Sequence, residues 1–199
     1  MTPGAPAPGV FRYARSRRAT ARDDVGVGNA LKRGNAFPLR AMADDRKNQR
    51  LQTVEIDDES LAAASRDQEQ ERQIAIFDLL EENYFAPEGG QGGPYDLRMA
   101  LVENRLTLDV RGAGYERRHI LSLSPFRGLI KDYFLICESY YQAIRNSTPA
   151  QIEALDMGRR GLHNEASELL RARLAGKIDT DLDTARRLFT LICALHWRG

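Results

Sequence analysis

The sequence predicts an α+β domain: a small antiparallel sheet, built as a hairpin and meander, followed by three helices packed on it. Three observations carry this. Between residues 95 and 123 apolar residues alternate with polar ones and break at turn signals. From residue 126 onward they recur instead at three- and four-residue intervals, the period of helices with one buried face. Strands first and helices later is the order of an α+β fold rather than of repeated βαβ units.

Taken in order, residues 1–41 hold eight Arg or Lys against two Asp, a balance of +6, and little apolar periodicity. They read as a disordered basic extension. The stretch FRYARSRRATAR is Arg-rich and poor in acid, like a transit peptide, and lacks the apolar core of a secretory signal. Met42 reads as the translation start, which makes the upstream residues a gene-start artefact and 42–199 a single α+β domain. That domain carries 21 basic against 26 acidic residues, so no broad nucleic-acid surface is expected of it.

Val54 and Ile56 alternate with polar neighbours as in a short strand. Ser65 or Asp67 is placed to cap a helix running to about Asn83, with Ile74, Phe77, Leu80 and Tyr84 on its inner face. Pro87 and the run EGGQGGP at 88–94 end it. That run lacks the Lys-Ser/Thr ending of a phosphate loop and reads as a flexible connector. Tyr95, Leu97, Met99 and Leu101 then face one way, as do Leu106, Leu108 and Val110 beyond a turn at Glu103-Asn104. A turn at Gly112–Gly114 leads to a third strand carrying His119, Leu121 and Leu123.

Ser124 and Pro125 stand at the N-cap and first position of a helix spanning Phe126 to Ile144. Its apolar residues fill a wide arc, so it reads as the central helix, with Leu135 on the far side. Thr148-Pro149-Ala150-Gln151 is a capping box for the next helix, which ends before Gly176. Thr180, with Asp183 three residues on, caps the last. No uncharged apolar run reaches the ~18 residues of a membrane span, and two cysteines on apolar helix faces read as reduced, buried thiols.

On a helical wheel Asp156, Arg159 and His163 lie in or beside the stripe that faces the protein. Buried charges must be paired, so this line is either a packing network or a site for acid–base or phosphate chemistry. Packing is the commoner outcome. Arg160, Asn164 and Glu165 flank it as binding candidates. Gly158 and Gly161 bracket Arg159-Arg160 as GRRG, a weak match to a nucleic-acid-clamping loop. Each glycine costs about 1 kcal/mol inside a helix, which asks for close packing, a bend or a break. Cys193 and His196, with Cys137 joining them, are weak metal-ligand candidates; His119 or His163 would have to complete a zinc set. Trp197 and Arg198, at the chain end, suggest a terminus docked on the fold or on a partner.

The segments IFDLLEEN (76–83), IKDYFLICESYYQAIR (130–145), STPAQIEALDMGRRGLHNE (147–165) and DTARRLFTLICALHWRG (183–199) resemble an uncharacterised protein family of the alphaproteobacteria. The resemblance covers roughly residues 50–199. It implies a short soluble cytoplasmic protein and brings no catalytic or binding residue with it. The favoured reading is a non-enzymatic binding or regulatory protein with no cofactor and no membrane partner, acting on a protein partner or on itself as a homo-oligomer. The alternative is an enzyme taking a small anionic or phosphorylated substrate at Asp156, Arg159 and His163. RNA binding through GRRG and the basic extension stands third, because the acidic domain makes nucleic acid an unexpected partner.

Overall fold

The computed structural model describes residues 48–57 and 66–196. The basic extension, Met42 and the Ser65 cap lie outside the described residues. The elements are β1 (Leu51–Ile56), α1 (Arg66–Glu81), β2 (Phe85–Pro87), β3 (Tyr95–Val102), β4 (Arg105–Gly112), β5 (Tyr115–Ser122), a single 3-10 turn (Ser124–Phe126), α2 (Arg127–Asn146), α3 (Pro149–Leu174), β6 (Ile178–Thr180) and α4 (Leu182–His196).

The α+β class stands, and the meander forms as read. β3, β4 and β5 pair antiparallel, and Glu103 and Asn104 both take positive φ (48° and 61°), the geometry of a tight two-residue hairpin turn. One face of this sheet is core: Tyr95, Leu97, Met99, Leu106, Leu108, Val110 and Leu121 are buried. The other face is charged, with Arg118 held bidentately on Asp109 at 2.5 and 2.7 Å and Arg98 on Asp57 at 3.1 Å.

The first strand adds a parallel pair. β1 runs alongside β3, giving the mixed order β1-β3-β4-β5. A parallel neighbour needs a long crossover, and α1 lies within it. A register irregularity between Leu51 and Thr53 breaks the alternation, so Leu51 and Val54 are the buried pair. A second small sheet joins β2 to β6 across more than ninety residues. Asn83 ties that sheet's approach to β1: its Oδ1 accepts from the Leu51 amide at 2.6 Å, and its Nδ2 donates to the carbonyls of Leu79 (3.0 Å) and Leu51 (3.3 Å).

The glycine run at 88–94 is a packing collar around Tyr95, which corrects the connector reading. A Cβ on Gly90 would strike the Tyr95 hydroxyl, and one on Gly112 would lie 2.5 Å from its ring. Only glycine leaves room there for a buried aromatic that also touches Phe85 and Tyr115.

Helix details differ where local signals compete with packing. α1 turns Ala75 and Leu79 inward and leaves Phe77 67% exposed, against the expected inner face. Its apolar residues are spread around the helix, so tertiary contacts chose the face. Asp67 lies in its first turn. Ser124 begins the 3-10 turn rather than capping α2, and Ile144 is half exposed near the end of that helix. Thr148 caps α3 as expected, its amide donating to Gln151 Oε1 at 3.0 Å. Thr180 is the last residue of β6; Asp181 caps α4 instead, its carboxylate accepting from the Thr184 amide at 2.7 Å. The most enclosed helix is α4 rather than α2. Its residues Leu191 to Leu195 are buried on every side, as a helix must be when α1 and α3 pack on it and Tyr133 of α2 meets its Phe189 ring.

Candidate functional site

The polar line of α3 sits where that helix crosses α2 and α4. Helix α3 is continuous through both glycines. Gly158 is there for contact: a Cβ would lie 2.7 Å from Ile136 Cδ1 on α2. Gly161 faces open space, and nothing in the structure explains it. The GRRG segment is therefore helical, not the loop that a nucleic-acid clamp requires.

The close approach at Gly158 brings Arg159 onto α2. Its guanidinium lies 5.5 Å from the Tyr140 ring centroid and close enough to Tyr133 to act on it electrostatically. Asp156 accepts from Arg159 Nη2 at 2.7 Å and from Arg160 Nη2 as well. The hydrogen bond from Arg159, then that from Arg160, holds the Asp156 carboxyl below the usual carboxylate range.

Asp156 does not reach His163. Seven residues of helix are about 10.5 Å of rise, and nearer arginines take both carboxylate oxygens. His163, only 4% exposed, lies between Tyr133 and Phe189, with ring centroids 5.3 and 5.4 Å away. Its Nε2 is 3.1 Å from Thr190 Oγ1. That hydroxyl is also 3.1 Å from the Arg186 carbonyl, which can only accept. The threonine proton goes there, so His163 Nε2 carries the hydrogen it shares with Thr190. Burial, with Arg159 and Arg186 nearby, pulls the His163 pKa down to about 4, so the ring is neutral at physiological pH.

The flanking candidates divide. Asn164 Oδ1 accepts from Arg186 Nε and Nη2 at 2.9 and 2.8 Å, a bridge from α3 to α4. Arg160 is exposed apart from its Asp156 contact, and Glu165 faces solvent. Trp197 and Arg198 lie outside the described residues.

Cys137 and Cys193 are both buried free thiols. Burial pushes Cys137 up to about 11 and Cys193 well above its ordinary value, the reverse of a reactive or metal-binding thiolate. His196 Nδ1 meets the Ile192 carbonyl at 3.0 Å, one turn back on its own helix. His119 is on β5, 3.1 Å from the Tyr115 hydroxyl. Among the described residues no three His, Cys, Asp or Glu side chains come together as a metal site. Nor, among them, is any helix long and apolar enough to cross a membrane.

The residues that sequence reasoning did not single out are Thr190 and Arg186 on α4. The signal was their helical phase: Arg186, Thr190 and Cys193 follow at i, i+4 and i+7.

The chain belongs to the uncharacterised protein family UPF0262, whose model matches residues 48–198. It is 87% identical over 159 residues to a UPF0262 protein of Phenylobacterium zucineum, covering 79% of this chain and 100% of that relative. Identity to a UPF0262 protein of Caulobacter vibrioides is 75% over 156 residues, covering 78% and 98%. A Brucella canis member is 58% identical over 161 residues, covering 79% and 100%. These are alphaproteobacterial relatives, as the resemblance implied. No solved structure matches the chain.

Proposed function

We propose that this member of the family is a non-enzymatic binding or regulatory protein of the cytoplasm. One observation carries the reading: the polar line on α3 is consumed inside the fold. Asp156 is shared by two guanidinium groups, and His163 is a neutral ring wedged between aromatics with its Nε2 on Thr190. A general base must reach a substrate proton directly or through one water, and His163 is buried, with only 4% of its surface exposed. The alternative, an enzyme acting on a small anionic or phosphorylated substrate, needs Asp156, Arg159 and His163 to open onto one pocket. Exposed Leu135 and Met157, on α2 and α3, favour contact with a protein partner or a second copy.

Native mass spectrometry of the full chain, purified without chelator or high salt, tests this. The expected result is a retained ligand, partner or dimer mass that survives His163→Phe. Turnover of a phosphorylated substrate that His163→Phe abolishes, with the fold intact, would overturn it.

A further inference from the structure

One end of the α1–α4 pair carries two buried charges, Glu71 and Arg72, which are 6% and 5% exposed. They extend the buried stripe of Ala75 and Leu79 by one turn toward the start of α1. Arg72 is poorly partnered there. Its one ion pair among the described residues is a 3.7 Å contact with Glu69, one turn back and half exposed. Among them its buried Nε has no hydrogen-bond partner. A guanidinium shut away from water is costly unless acceptors or an aromatic face take the water's place.

The helix register shows what comes level with it. At the other end of the pair the Tyr84 amide donates to Thr184 Oγ1 at 2.8 Å, and Arg187 Nη1 donates to the Glu82 carbonyl at 2.6 Å. α1 ends there and α4 begins there, so the packed pair is antiparallel. Ten residues back from Glu82 is Arg72, and ten residues on from Arg187 is Trp197, each about 15 Å along its helix. Arg72 therefore stands level with the end of α4 at His196, where the sequence continues Trp197-Arg198-Gly199. Those residues carry the chemistry that complements the buried pair: an indole face and backbone carbonyls for the Arg72 guanidinium, and a guanidinium for the Glu71 carboxylate.

We propose that the segment Trp197-Arg198-Gly199 docks back onto this end of the fold, with the Trp197 ring over Arg72 and the Arg198 guanidinium on Glu71. The proposal goes beyond the binding reading above and does not rest on it: this surface is filled by the chain's own segment rather than offered to a partner.

The test is the environment of Trp197 in the full chain. It is the only tryptophan, so intrinsic fluorescence reports it alone. The expected result is blue-shifted emission that resists acrylamide quenching and is unchanged by dilution. Arg72→Met removes the guanidinium and keeps an apolar stem, and Arg198→Ala alters a residue beyond the last turn of α4. Each variant should speed exchange of the Trp197 indole proton, followed by nuclear magnetic resonance, about tenfold. If Arg72→Met fails to fold, Arg198→Ala alone decides. Emission of a water-exposed indole in wild type overturns the docking. Protection that falls on dilution gives the surface to a second copy and also overturns it. A folded variant whose indole exchange equals that of wild type overturns it as well, because the segment is then held by something other than Glu71 and Arg72.

Discussion

Acidification should destabilise this protein well before its carboxylates titrate, and His163 is the reason. In the folded chain its pKa is about 4; in the unfolded chain it returns to 6.5. As pH falls below 6.5 the unfolded chain takes up a proton that the native state refuses, so stability drops with falling pH until about pH 4. The full gap corresponds to about 3 kcal/mol, and about 2 kcal/mol of it is lost by pH 5. That is a large share of the 5–15 kcal/mol typical of a domain. Asp109 and Asp156, whose pKa values are lowered by hydrogen bonds from Arg118 and Arg159, contribute stability above their ordinary value of 3.8 and lose it only below that. They fall outside this window. His119, also lowered by burial, acts in the same direction as His163. It is unchanged in a His163 variant, so the comparison isolates His163. His163→Phe keeps the aromatic contacts to Tyr133 and Phe189 and leaves the Thr190 hydroxyl on the Arg186 carbonyl. It should cost about 1–2 kcal/mol at pH 7. By about pH 5 the loss in wild type offsets this cost, and the two stabilities should cross. Urea denaturation from pH 7.5 to 4.5 reads both curves. A difference between variant and wild type that stays constant with pH would refute the reasoning.

Other perturbations separate the remaining contacts. Gly161→Ala should stabilise by about 1 kcal/mol in thermal unfolding, because the site is open helix surface. Gly112→Ala should destabilise by at least about 2 kcal/mol, since its Cβ collides with the buried Tyr95 ring. Asn83→Ala should cost about 2–3 kcal/mol by stranding the buried Leu51 amide, measurable by denaturation and by faster amide exchange at Leu51. Asp181→Ala should cost about 1 kcal/mol as a lost cap, while Thr180→Val should be neutral or stabilising because its buried hydroxyl has no hydrogen-bond partner. Cys137 and Cys193 should react with a thiol reagent at neutral pH only as fast as the chain unfolds.

What was legible in the sequence was local. The meander, the capping box at Thr148 and the stop at Gly176 are written within a few residues of where they act. The β2–β6 pair was not, because strands of three residues have no period to read and their partner lies ninety residues away, and nothing local to β1 names a parallel partner beyond the α1 crossover. The Tyr95 collar looked like a linker because glycine serves flexibility and close contact equally well. In α1, Phe77 misled because several apolar residues compete for one inner face. For the site, the wheel correctly placed Asp156, Arg159 and His163 toward the protein. It could not say that Arg160 would share Asp156, or that His163 would find Thr190 on a helix 27 residues later.

The central claim is that His163 is a packing residue and not a proton-transfer group. The most direct measurement is the pH titration of its ring nitrogens by nuclear magnetic resonance in the native chain. A neutral Nε2–H tautomer persisting down to about pH 4, unmoved by added phosphate, is the expected result. A ring that titrates near its ordinary 6.5, or that shifts when phosphate is added, would contradict the account and return Asp156, Arg159 and His163 to the centre of an active site.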